Sequence, residues 1–184
     1  MNAIETVRLI VRNFRPDDWI ALQEIIRQYQ STEYAAYDHE WPSSSEELQR
    51  ATESFAGQDG FLAVCRREAG DAIGLVTINP DGSGGASCYN LGFIFYSRVQ
   101  GQGYASEAGV AVLRRAFTEW GAQKVISGTA LANRSAVRLL ERLGFQRVSE
   151  SRSAFQKGPD GAPIVFTGLS FALTRDEWAS RGNK

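Results

Sequence analysis

Residues 93–108 read Phe-Ile-Phe-Tyr-Ser-Arg-Val-Gln-Gly-Gln-Gly-Tyr-Ala-Ser-Glu-Ala, an aromatic strand pattern that runs through a Gly-x-Gly turn into a helical one. Glycine lets the main chain approach a ligand closely and take up conformations closed to other residues. The first N–H groups of a helix have no partner inside it, and the helix dipole adds partial positive charge there. Together these features suit a phosphate or pyrophosphate. A tight strand-to-helix turn with no ligand uses the same residues, so the turn by itself leaves both readings open.

Two familiar nucleotide motifs do not fit. A Walker loop needs lysine after its glycines, and no lysine occurs between positions 71 and 123. A dinucleotide fingerprint wants glycine or alanine where Ser106 stands, and an acidic end to the next strand, where Leu131-Ala132 stand instead. The 184 residues carry 20 Lys+Arg against 21 Asp+Glu, which leaves no bulk positive field for a nucleic-acid backbone or an anionic membrane. A phosphate-bearing ligand would therefore be held locally. Cys65 and Cys88 lie in apolar segments without metal-type spacing, which points to buried thiols and no metal site. Met1-Asn2-Ala3-Ile4-Glu5 does not open a secretory signal, and no apolar run approaches a membrane span. A cytoplasmic protein is expected.

The elements that must position the turn can be read along the chain. Residues 7–13 alternate as a strand. Pro16 and two aspartates then open a helix carrying Trp19, Leu22, Ile25, Ile26 and Tyr29 on one face. A polar and aromatic stretch, 30–42, precedes a second helix opened by a capping box at 43–47 and running to about Phe55. Strands follow at 60–67, 72–80 and 88–96, the last two joined through the turn Asp81-Gly82-Ser83-Gly84-Gly85. Ala105, Ala108, Gly109, Val112, Leu113, Ala116 and Trp120 share a helical face over 104–120. After a strand at 124–131, Asn133 or Ser135 starts a helix that Gly144 ends. Strands near 145–155 and 163–173 flank a turn at 157–161, and Thr174-x-x-Glu177 caps a last helix. The order β-α-α-β-β-β-α-β-α-β-β predicts an α/β (α+β) fold in one domain spanning 1–184. Its expected core is a mixed, twisted, mostly antiparallel sheet of about seven strands with helices on both faces.

In that order, Gln100-Gly101-Gln102-Gly103-Tyr104-Ala105 matches the pattern Gln/Arg-x-x-Gly-x-Gly/Ala of the GNAT acetyltransferases. Asn133-x-Ser135 and Leu143-Gly144-Phe145 resemble the Asn-x-x-Ala…Gly-Phe segment of that superfamily. Thr6-x-Arg8-Leu9-x-Val11-Arg12 and Tyr104-Ala105-Ser106-Glu107-Ala108 resemble its ribosomal-protein N-terminal (alanine/serine) acetyltransferase branch. The resemblance implies acetyl transfer from acetyl-CoA, without a metal, to an amine, a protein N-terminus before a polyamine, antibiotic or amino acid. The amine would attack directly in a ternary complex. The other reading is an acyl-CoA-binding module without catalysis. The resemblance also allows a homodimer.

By the same resemblance, backbone groups of Phe93, Ile94 and Phe95 would pair with the pantetheine arm and one N–H would polarise the thioester. The N–H groups of Gly101, Gln102, Gly103, Tyr104, Ala105 and Ser106 would cradle the pyrophosphate, and the Asn133 side chain would hold the coenzyme arm. The positions where relatives carry an acid or base hold Tyr89, Gly128 and Leu140. Ser135 is the candidate acid for the departing thiolate, its alternative role being to cap its helix. Asn133 has the same alternative. Asp38, His39 and Glu40 are candidate bases in a loop whose Tyr34, Tyr37 and Trp41 would wall the acceptor site. Glu107 is expected to favour the helix N-terminus electrostatically.

Overall fold

The computed structural model describes residues 2–82, 85 and 87–182. Ser83 and Gly84 of the expected 81–85 turn lie outside that range, as do Met1, Ala86, Asn183 and Lys184. Among the described residues, eight strands form one sheet in the order β1-β2-β3-β4-β5-β6-β8-β7. They are β1 (Ile4–Glu5), β2 (Leu9–Asn13), β3 (Phe61–Arg66), β4 (Ala72–Pro80), β5 (Cys88–Phe95), β6 (Lys124–Ala130), β7 (Gln146–Ser153) and β8 (Phe166–Thr174). The α-helices of the described residues that cover its faces are α1 (Trp19–Gln30), α2 (Ser45–Ala56), α3 (Tyr104–Thr118), α4 (Arg134–Leu143) and α5 (Arg175–Arg181). The strand beyond the expected seven is β1, two residues too short to leave an alternating pattern.

Local signals fix many of the boundaries. Ser44 Oγ accepts from Glu47 N while the Glu47 carboxylate receives Ser44 N, so the expected capping box opens α2. Thr174 and Glu177 repeat the arrangement at α5. Gly144 ends α4 with φ 102°, the left-handed conformation that glycine supplies at a helix C-terminus. Leu22, Ile25 and Ile26 of α1 are buried against the sheet, with Leu9, Val11, Leu62, Ile73, Leu75, Ile78 and Leu91 filling its layers. Where α3 meets α4, a Cβ on Gly109 would stand 2.8 Å from Leu143 Cδ1, so the Leu143 side chain would have to shift to admit it. Both cysteines are buried and free.

All neighbouring strands pair antiparallel except β5 and β6. That one parallel ladder runs only from Cys88–Lys124 to Asn90–Ile126, although β5 continues to Phe95 and β6 to Ala130. On its other edge β5 stays paired with β4 through Phe95. The sheet therefore forks after Asn90. The Leu91 carbonyl faces the fork and receives the Ser127 hydroxyl at 2.7 Å, a buried side-chain bond in the place of a ladder bond. Losing it would leave a buried acceptor unsatisfied. Ser127→Ala is expected to destabilise the fold by about 1–3 kcal/mol, read as a lowered urea midpoint at unchanged slope.

Candidate functional site

Two clefts open on either side of the fork and share Tyr29, Tyr34, Phe93, Ile94, Asn133 and Ala136 in their walls. The first runs along α3 and α4. Gly101 and Gly103 take φ values of 76° and 84°, and Gly103 is the N-cap of α3 in the left-handed conformation. These two glycines turn the chain sharply enough for the helix to start beneath the end of β5. Among the described residues, the N–H groups from Gly101 to Ser106 meet no protein acceptor; the first helical bond is Glu107 N to Gly103 O at 3.0 Å. Phe93, Ile94, Phe95, Gly101, Gly103, Tyr104, Ala105, Ser106, Asn133 and Ser135 all line this cleft. Gln102 does not line it, because its carbonyl accepts from Arg8 Nη1 at 3.0 Å and its side-chain amide donates to Arg98 O at 2.9 Å.

The loop is tied to the N-terminal strands. The Glu107 carboxylate accepts from Thr6 Oγ1 at 2.6 Å, Arg8 N at 2.9 Å and Arg8 Nε at 2.7 Å. The Arg8 guanidinium also lies 4.4 Å from the centre of the Tyr104 ring. Glu107 thus does more than face the helix dipole: it fastens the loop to residues 6–8. Burial alone would raise the Glu107 carboxyl, but the hydrogen bonds from Thr6 and Arg8 and the nearby positive charge hold it below its ordinary value.

Asn133 caps α4, its Oδ1 accepting from Ala136 N at 3.1 Å. This corrects the capping alternative for Ser135, which sits one residue inside the helix, exposed, with its cap already supplied. The sequence reading did not single out two arginines of this cleft, Arg138 and Arg142, the latter donating to Ser106 Oγ at 3.1 Å. Their three- and four-residue offsets from Ser135 and from each other were the available signal, since they place all three on one helical face.

The second cleft, about 430 Å³, lies between β5, β6, β8 and the 34–41 segment. Glu33–Tyr37 form a short 3-10 turn. Gln156, in the β7–β8 connection, pins this segment by donating to both Ala35 O and Asp38 O at 2.8 Å. Ring contacts of Tyr37 with Phe166 at 5.1 Å and His39 with Phe155 at 4.4 Å complete the wall. Asp38, His39, Tyr34, Tyr37 and Trp41 line this cleft, whereas Glu40 does not. Tyr29 Oη donates to Asp38 Oδ2 at 2.9 Å. Burial, then the Asp38 charge, push that hydroxyl well above the usual tyrosine range, so it stays protonated as a donor. Of the positions where relatives carry an acid or base, Gly128 and Leu140 line the cleft without a titratable group, and Tyr89 reaches the Trp120 carbonyl at 3.5 Å instead.

A family model described as an acetyltransferase (GNAT) domain matches residues 8–146. An uncharacterized N-acetyltransferase of a Bacillus subtilis prophage, YokL, is 27% identical over 176 residues, covering 92% of each chain. The structure of ribosomal-protein-S5-alanine acetyltransferase from Vibrio fischeri superposes with a TM-score of 0.78 at 13% identity, over 97% of this chain and 99% of that one. Spermidine N-acetyltransferase from Vibrio cholerae, in complex with CoA and spermine, superposes with a TM-score of 0.76 at 17% identity, over 95% and 99%. At such identities the two structures speak to the fold alone. Among the described residues, no helix is long and apolar enough to cross a membrane.

The tie at Glu107 carries a pH dependence. A carboxyl held below its unfolded value adds stability above the ordinary glutamate range, about 4.3, and loses it as pH falls through the folded value. Glu107→Gln should therefore be less stable than the parent at pH 7, and the gap should close in acid. Urea midpoints measured between pH 7 and pH 3 check this.

Proposed function

This chain belongs to the GNAT acetyltransferase family, and on that premise we propose that it moves the acetyl group of acetyl-CoA onto the amino terminus of a protein. The reading takes the chain as one catalytic domain. The observation that carries it is the set of N–H groups from Gly101 to Ser106, unpaired among the described residues, beside a cleft whose described lining holds Arg138 and Arg142 and no carboxylate. Such a surface suits the pyrophosphate and a further phosphate of the coenzyme.

In this proposal the free edge of β5 from Phe93 to Phe95 receives the pantetheine arm as an added strand. An N–H there polarises the thioester carbonyl. A donor preorganised where the oxyanion develops contributes about 3–4 kcal/mol in acyl transfer. Asn133, at the junction of the clefts, keeps Oδ1 on its helix and turns its amide donor to the coenzyme arm. The amine attacks from the second cleft and the C–N bond forms as the C–S bond breaks. The nitrogen gives its surplus proton to water, and Ser135 gives a proton to the departing thiolate and regains one from solvent. The acceptor comes from the likeness of Thr6–Arg12 and Tyr104–Ala108 to the ribosomal-protein branch, whose two segments meet in the Arg8–Glu107 tie. The solved relatives do not choose for it, since one is named for a ribosomal protein and another for spermidine.

Gly103→Asp adds a carboxylate to the loop meant for the pyrophosphate, its Cβ 3.4 Å from Arg8 Nη2, at a left-handed position that Asp tolerates better than most residues. CoA affinity in calorimetry should fall at least tenfold, with the circular dichroism spectrum unchanged. Ser135→Ala should lower turnover of acetyl-CoA and an N-terminal peptide about tenfold while leaving the KM for acetyl-CoA near the parent value. An unchanged turnover would remove Ser135 from the chemistry.

A further inference from the structure

We propose that Asp38 is the single counter-ion for the acceptor's ammonium, and that the acceptor cleft selects by charge for an amine with one positive charge and no carboxylate at its reacting end. The inference rests on acetyl transfer taking place at the fork and adds the rule by which the acceptor is chosen.

The two clefts are lined in opposite senses. The coenzyme side carries Arg138 and Arg142 and, among the described residues, no carboxylate. Among the described residues, the acceptor side carries one carboxylate, Asp38, and neither lysine nor arginine. Most of the remaining polar lining is neutral: Asn90, Thr129, Ser151 and Ser170 offer hydroxyl and amide groups that can serve a peptide backbone but cannot neutralise an ion.

Asp38 is also nearly saturated. Its Oδ2 accepts from Tyr29 Oη at 2.9 Å and from Trp41 Nε1 at 3.4 Å, and its Oδ1 accepts from His39 N at 2.8 Å. A carboxylate offers about four lone-pair sites, which leaves room for one further donor. That vacancy suits a single ammonium N–H. The aromatic rings of the wall add their negative faces to the same cation.

A polyamine or aminoglycoside would bring further ammonium groups into a cleft with no second counter-ion. A free amino acid would bring a carboxylate beside Asp38, with His39 the one basic side chain and neither lysine nor arginine in the described lining. In both cases the surplus charge gives up part of its hydration without a full ionic partner in the described lining. A peptide amino terminus avoids both costs, because its carboxyl carbon is already an amide. The cleft chemistry therefore narrows the acceptors to peptide amino termini.

The test follows thiol release from acetyl-CoA by the full-length enzyme with a Ser-Ala-Ala tripeptide amide, with free serine and with spermidine. The tripeptide amide should exceed each of the others at least a hundredfold in kcat/KM. Asp38→Asn should raise its KM at least tenfold. Thr129→Asp, which adds a second carboxylate to the wall, should narrow the gap between peptide and spermidine tenfold or more. Spermidine or free serine at parity with the peptide in the parent enzyme would overturn the charge rule and leave acetyl transfer standing. Tight CoA binding with no transfer to any of the three would overturn the transfer reading, and the rule with it.

Discussion

The parallel ladder between β5 and β6 ends at Asn90–Ile126, and the geometry of the site follows from that short pairing. Beyond it, the backbone of Phe93 to Phe95 is paired on its β4 side alone. An open strand edge is ordinarily a hazard, because it invites pairing with another chain. Here the free edge lies between two clefts, walled by α3, α4 and the 34–41 segment. The cost of opening a sheet falls on its orphaned polar groups. At the first of them, the Leu91 carbonyl, a serine hydroxyl from the opposite strand takes the place of the missing N–H. Ser127 thereby holds the two strands in register as far as the fork while leaving them apart beyond it.

The second requirement is a rigid loop after β5. Two left-handed glycines turn the chain, but glycines also give it freedom that must be removed. The restraint comes from far away in sequence. Residues Thr6 and Arg8 grip Glu107, while Arg8 reaches the Gln102 carbonyl and covers Tyr104. The loop amides are thus left unpaired at a place where the chain cannot rearrange to pair them. Two sequence segments that resemble the same branch of acetyltransferases are one physical object.

What was legible in the sequence were features whose cause is local. The capping boxes at Ser44–Glu47 and Thr174–Glu177, the helix end at Gly144, the face of α1 and the strand–glycine–helix run at 93–108 each depend on residues a few positions apart. Features that depend on distant partners were not: the Ser127 bond to Leu91, the reach of Gln156 across to Ala35 and Asp38, and the withdrawal of Gln102 from the cleft by Arg8 and Arg98. The choice between Asn133 and Ser135 as cap sits between these classes. Both residues are good N-caps, and only the start of α4 decides between them.

The missing acid and base positions bear on the acceptor. An enzyme that acetylates an amine must first find it unprotonated. A lysine-like amine, with a pKa near 10, is almost wholly protonated at neutral pH, so it needs a dedicated base. A peptide amino terminus ionises near 8, and a useful fraction is already neutral. A cleft with Gly128 and Leu140 at two of the positions that relatives give to acid or base groups, Tyr89 turned to a main-chain carbonyl at the third, and its one carboxylate bound by three donors, offers the first task only His39 beside that carboxylate among the described residues. It is adequate for the second, where holding the amine in line with the thioester matters more than stripping its proton. The charge of the cleft and its sparse proton chemistry thus both support the acceptor proposed above.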